Sequence, residues 1–303
     1  MPEFLAEIVG TMLLIIFGEG VCANVTLARS KGKDAGWLAV TTGWGLAVAL
    51  AVYAVGRISG AHINPAVTLG LASTGAFSWA LVPVYVAGQM IGAFLGAVVV
   101  WLSYRPHFDA TEDPDAILGI FATGPAIRST PWNLVTEIIG AAVLLFGVVA
   151  LGANAGELTD GTLDLSAVYS IGINPLLVGF LVWGIGLALG GPTGYAINPA
   201  RDLGPRIAHA LLPIPHKGSS DWGYAWVPIV GPIIGGVLGA WLFLQQGRLH
   251  LIEAHDEITS VGVFGIEAQL DQAITSEPVP FQCHAQIAGL DGQIRSLGRQ
   301  TVG

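Results

Sequence analysis

Two phrases place polar chemistry inside an apolar chain. Residues 194–202 read GYAINPARD and residues 60–68 read GAHINPAVT. Both contain Ile-Asn-Pro-Ala, and the later copy adds two full charges, Arg201 and Asp202. Asn is a good N-cap and Pro is favoured at the first helical position. Asn64, Pro65 and Ala66, and again Asn198, Pro199 and Ala200, therefore predict helix starts. A helix N-terminus carries roughly half a positive charge, and an Asn amide offers two N–H donors. A single Asn-Pro is a common way to begin a helix and implies nothing more. Two copies call for an account of the elements that carry them.

Those elements belong to a membrane. The chain has 303 residues, 53% hydrophobic and 11% charged, with 42 glycines. Soluble domains are about 25% charged, and glycine is frequent where membrane helices pack closely. A net charge of -9 gives no reason to expect a nucleic-acid partner. Crossing about 30 Å of hydrocarbon takes about 20 helical residues. Six segments reach that length, near 4–27, 37–56, 80–103, 132–153, 168–189 and 223–245. The stretches beginning at Asn64 and Asn198 do not, and they predict re-entrant half-helices. The first segment is acidic where a signal peptide would be basic, so it is expected to stay as a span. Cys22 and Cys283 lie far apart without metal-ligand spacing and predict neither a disulfide nor a metal site.

The chain also repeats itself. EIVGTMLL from Glu7 matches EIIGAAVL from Glu137, 130 residues later. GAHINPAVTLG matches GYAINPARDLG at a shift of 134, and IGAFLGA from Ile91 matches IGGVLGA from Ile234 at 143. Three blocks in the same order make a duplication. Each half has three spans and a half-helix, so the second half must sit inverted relative to the first. The short segments then enter from opposite faces and meet near the midplane, forming a positive centre that repels cations and protons. Before each Asn the chain runs as non-helical backbone, whose carbonyls must face protein or water, not lipid.

The paired motifs, with SGAHINPAVT and GYAINPARDLGP around them, resemble the major intrinsic protein family of aquaporins and aquaglyceroporins. The resemblance covers about residues 3–246 and is most marked toward the bacterial glycerol facilitators. It implies an all-α membrane fold of six transmembrane helices and two re-entrant half-helices in an inverted repeat. The channel would occupy residues 1–246, in halves of about 1–103 and 132–246 joined by a loop at 104–131. A polar tail would follow at 247–303. By the same resemblance Arg201, Trp44, Gly186 and Tyr195 form the selectivity filter, and the two Asn-Pro-Ala motifs meet in the pore. The carbonyls of Gly60, Ala61, His62, Gly194, Tyr195 and Ala196 line it. A Trp, Gly or Tyr in a membrane helix is usually packing, and only alignment to the motifs singles out these three. Asp202 marks the glycerol-conducting branch, and Arg206, Pro228, Ile229 and Tyr104 match residues typical of it. Tyr195 departs from the Phe of the most studied glycerol facilitator, which bears on the preferred solute.

The resemblance implies a passive channel for glycerol, other small neutral solutes and water, a homotetramer in the cell membrane with cytoplasmic termini. Lys and Arg in the first loop would by themselves place that loop in the cytoplasm, opposite to this orientation. A water-selective channel, a secondary transporter and a junction protein are the competing classes. No cofactor is expected, and no Ser/His/Asp set or metal-ligand spacing suggests an enzyme. Glu7 and Glu137 hold equivalent repeat positions and are expected to accept hydrogen bonds from their own half's re-entrant loop. With Asp202 they would brace those loops. Glu19 lies about 120° round the helix from Glu7 and is assigned to another surface, the outer vestibule or a subunit contact.

Overall fold

The computed structural model describes residues 2–155 and 164–261. In chain order the helices are α1 (Pro2–Thr26), α2 (Gly36–Ser59), α3 (Pro65–Ser73), α4 (Val82–Ser103), α5 (Arg105–Asp109) and α6 (Pro114–Phe121). The second half supplies α7 (Thr130–Ala153), α8 (Ser166–Val168), α9 (Asn174–Leu189), α10 (Pro199–Leu211) and α11 (Val227–Val261). Among the described residues six helical segments are long and apolar enough to cross a membrane: Pro2–Thr26, Gly36–Ser59, Trp79–Ser103, Thr130–Ala153, Ser166–Leu189 and Val227–Gly247. The chain is a multi-pass membrane protein. Its two half-helices, α3 and α10, are too short to span.

The duplication seen in the sequence is carried into packing. α1 packs on α4, and α7 packs on α11. Gly88, Gly92 and Gly96 of α4 lie against the carbonyls of Phe4, Ile8 and Met12. At the repeat positions, Gly231, Gly235 and Gly239 of α11 lie against those of Leu134, Ile138 and Ala142. A Cβ at any of the six would fall within 3.4 Å of the facing carbonyl oxygen. Water is no driving force between helices in lipid, so this close backbone approach supplies the contact. The half-helices then cross over: α3 packs on α11 and α10 on α4, so each half closes on the other's last span.

Several boundaries differ from the composition-based ones. The second span runs to Ser59, where Gly60 caps it in the left-handed region at φ 79°. The sixth begins at Val227, because residues 222–226 form turns and Pro228 sets the first helical turn. The fifth is composite: α8, a π turn at Tyr169–Ile173, then α9. The connection at 104–131 contains α5 and α6, whose Phe108, Ile117, Ile120 and Phe121 are buried. The tail expected from residue 247 begins as a continuation of the α11 backbone to Val261. Residues 262–303, including Cys283, lie outside the described residues.

Candidate functional site

The site forms where α3 and α10 meet head to head. Asn64 and Asn198 are both extended, at φ -159° and -155°, and cap their helices. Asn64 Oδ1 accepts from Ala66 N at 2.8 Å. Asn198 Oδ1 accepts from Ala200 N at 3.0 Å and Arg201 N at 3.3 Å. Pro65 and Pro199 follow, at the position where a missing N–H costs nothing. Each Asn also reaches into the opposite half. Asn64 Nδ2 donates to Ile197 O, and Asn198 Nδ2 donates to Ile63 O, both at 2.8 Å. An amide nitrogen has two donors, so one N–H of each remains for the space between them.

The backbone leading into each motif is strained in the same pattern. Gly60, Ala61 and Ile63 have φ of 79°, 50° and 44°; Gly194, Tyr195 and Ile197 have 80°, 39° and 43°. Non-glycine residues held there cost on the order of 1–3 kcal/mol each, so the surroundings must hold them. Two buried carboxylates do this. Glu7 accepts from Ser59 Oγ at 2.6 Å, His62 N at 3.0 Å and Ile63 N at 2.8 Å. Glu137 accepts from Thr193 Oγ1 at 2.7 Å, Ala196 N at 3.0 Å and Ile197 N at 2.8 Å. The first half adds Gln89 Nε2 on Glu7 at 2.8 Å, where the second half has Pro232 at the repeat position. His62 turns its ring away, against Phe77 and Tyr85, with Nδ1 3.1 Å from Thr68 Oγ1.

In a Glu137→Gln variant, an amide NH2 would face the N–H or hydroxyl donors of the loop. One buried donor left unpaired costs about 1–3 kcal/mol. Glu137→Gln and Glu7→Gln should therefore lower thermal stability and folded yield in detergent. Solute flux per folded protein should change little. A variant that melts like the unmodified protein but has lost its flux would refute the bracing role.

A cavity of about 130 Å³ runs along the motifs, with Val52, Asn174, Trp44 and Arg201 among its lining. One water needs about 10–15 Å³ on this measure, so the space suits a short file of waters or one small solute. Gly60, Ala61, His62, Asn64, Tyr195, Ala196 and Asn198 line it. Gly186 stands behind Tyr195: a Cβ there would lie 2.7 Å from Tyr195 Cζ and 2.9 Å from its Oη. Trp37 Nε1 donates to Gly186 O at 3.1 Å, and Trp37 meets the Tyr195 ring edge-on at 5.9 Å. The space that Gly186 leaves is thus taken by Tyr195. Arg201 is buried, its guanidinium 4.0 Å over the Trp44 ring. It stacks on that indole. Trp44 Nε1 in turn donates to Cys22 Sγ at 3.4 Å.

Asp202 does not reach the cavity. It is fully buried and paired with Arg206, Nε to Oδ1 at 2.8 Å. Its Oδ2 accepts from the N–H and the hydroxyl of Thr123, both at 2.7 Å. Arg206 continues to Thr123 O at 3.0 Å and Ser220 O at 2.8 Å. The pair clamps two connecting segments onto α10. At the other end of that helix Lys217 Nζ donates to the carbonyls of His209, Ala210 and Leu212; partial burial lowers its ammonium below the ordinary value. Glu19 corrects its expected placement. It is fully buried within the chain, at neither a vestibule nor a subunit surface, and neither carboxylate oxygen has a hydrogen-bond partner among the described residues.

Known proteins share this architecture. The family model described as "Major intrinsic protein" matches residues 1–243. A probable glycerol uptake facilitator protein of Thermotoga maritima is 63% identical over 247 residues, covering 80% of this chain and 100% of that one. The glycerol uptake facilitator protein of Bacillus subtilis is 58% identical over 251 residues, covering 83% and 87%. The X-ray structure of the aquaglyceroporin from Plasmodium falciparum superposes with a TM-score of 0.66 at 30% identity, covering 80% and 94%. Two capped half-helices meeting inside six spans, and a family match over most of the sequence, lead to one conclusion: the chain belongs to the major intrinsic protein family.

Proposed function

We propose that the protein is a passive channel for glycerol and other small neutral solutes, with water also passing and ions and protons excluded. The observation that carries this reading is the head-to-head meeting of α3 and α10 along a solute-sized cavity. Two positive helix ends and the Arg201 guanidinium oppose any cation. Each Asn presents an N–H to a hydroxyl or water oxygen. The carbonyls of Gly60, Ala61 and His62, and of Gly194, Tyr195 and Ala196, supply acceptors on the same side. The opposite wall is mostly apolar, which suits the carbon edge of a polyol. Trp44, Gly186, Tyr195 and Arg201 form the filter, Glu7 and Glu137 brace the pore loops, and Asp202 braces the outer mouth. Relatives named as glycerol facilitators support the choice of solute.

Residues 1–246 are assigned to the channel, in a homotetramer with one pathway per subunit, in the cell membrane with cytoplasmic termini. Stopped-flow light scattering on proteoliposomes tests the core of this reading. Glycerol and water permeability should both rise well above empty vesicles, without saturation. A proton or sodium current comparable with solute flux would overturn it.

A further inference from the structure

The wall facing the motifs is interrupted by one amide. Along the cavity it is built of Val48, Val52, Leu144, Val148, Val178 and Val182. Asn174 lines the same cavity; its Oδ1 is enclosed with no hydrogen-bond partner among the described residues, which leaves the amide N–H2 as the group open to a solute. Buried polar atoms are nearly always paired, by protein or by ordered solvent. In an apolar pocket the few polar groups are the ones that fix a ligand's orientation.

The fold presents this residue deliberately. Asn174 is the first residue of α9, directly after the π turn at Tyr169–Ile173. A π turn holds more residues than an α turn, so it changes which face the following residues show, and such turns are frequent at functional sites. This one is tied down on both flanks. Tyr53 Oη from α2 donates to Gly172 O at 2.6 Å, and Tyr169 Oη donates to Leu151 O of α7 at 2.9 Å. Asn174 lies twelve residues before Gly186 on the same helix, so it sits about 18 Å from the filter layer at 1.5 Å per residue.

The geometry points to Asn174 as a second binding station, on the inner part of the pathway, for the hydroxyl groups of small polyols. The amide N–H2 donates to a hydroxyl oxygen, and it carries no charge to trap the solute. Glycerol entering from the inner side gives up water contacts along its whole length. Asn174 returns one of them on the wall that otherwise returns none. Water loses less there, because neighbouring waters in the file replace the contact. This assignment rests on the proposed glycerol pathway.

Val and Thr have nearly the same shape and differ by the hydroxyl, so they separate hydrogen bonding from packing. Proteoliposomes carrying Asn174→Val and Asn174→Thr would be compared with the unmodified protein for glycerol and water permeability. Asn174→Val should lower glycerol permeability by about 3- to 10-fold, the weight of one hydrogen bond. Its water permeability should fall less than about twofold, and Asn174→Thr should recover most of the glycerol flux. Equal glycerol permeability in the Val and Thr variants would overturn the station, as would equal losses of water and glycerol in Asn174→Val. If the branched variants do not reconstitute, Asn174→Ser against Asn174→Ala reads the same difference. An unmodified protein that conducts water but no glycerol would overturn the station together with the proposed function. Loss of the station alone leaves the unmodified glycerol flux in place.

Discussion

Asp202→Ala should leave a protein that is hard to recover folded. Asp202 and Arg206 are both fully buried, and removing one partner strands the other's charge. Breaking such a pair typically costs about 3–5 kcal/mol, a large share of the stability of an ordinary domain. The loss goes beyond the pair, because Thr123 would lose an acceptor for both its N–H and its hydroxyl. Arg206→Ala should be similarly severe, since three backbone carbonyls lose their donor. The combined variant should be less unstable than the sum of the two, because neither charge is then left alone. Thermal melting in detergent measures all three. Strict additivity, or an Asp202→Ala protein that melts with the unmodified one, would show that the clamp contributes little.

Gly186→His should nearly close the polyol route. The Tyr195 ring lies where the new side chain must begin, with Cζ 2.7 Å from a Cβ on residue 186 and Thr41 Cγ2 at 3.0 Å. Tyr195 would have to swing toward the cavity it lines. Overpacking costs typically about 1–3 kcal/mol of stability unless Tyr195 yields into the pathway, where it should lower glycerol permeability by about tenfold to a hundredfold, a barrier increase of about 1.4–2.7 kcal/mol. Water, being smaller, should still pass. Tyr195→Phe should keep glycerol flux, because the Tyr195 hydroxyl has no hydrogen-bond partner among the described residues; its loss should alter only the ranking among small solutes. Stopped-flow permeabilities of the two variants decide it. Unchanged glycerol permeability in a folded Gly186→His protein would rule out a filter at this layer.

Much of the architecture was legible because it is written in spacing. Span length follows from hydropathy, and the half-helices follow from Asn-Pro at matched positions. The blocks repeated from Glu7 and Ile91 at Glu137 and Ile234 mark a duplication, and the structure adds that α1 packs on α4 and α7 on α11. What spacing does not carry is the identity of long-range partners. Nothing local to Arg206 points to the carbonyls of Ser220 and Thr123. Nothing local to Arg201 decides that it lies over Trp44. The π turn was hidden because its residues, YSIGI, are as apolar and as helical in composition as their neighbours. In the sequence Asn174 is one more residue before a proline, with nothing local to single it out. The connection at 104–131 was taken for a loop because its helices are too short for a periodic signal, although tertiary packing buries them. Glu19 was hidden for the same reason: its helical phase separates it from Glu7, and the charges that act on it, Arg201 and Asp202, lie far along the chain.

The exchange of amide hydrogen bonds between the two motifs has a consequence for biogenesis. The carbonyl of Ile63 finds its donor on Asn198, 135 positions further along the chain. The carbonyl of Ile197 finds its donor on Asn64, synthesised long before it. An insertion machinery that delivers the first three spans thus releases an unfinished object, whose central loop must be kept wet until its twin arrives. The junction that lines the conduit is complete only once the second half is in place, so a truncated translation product lacks it.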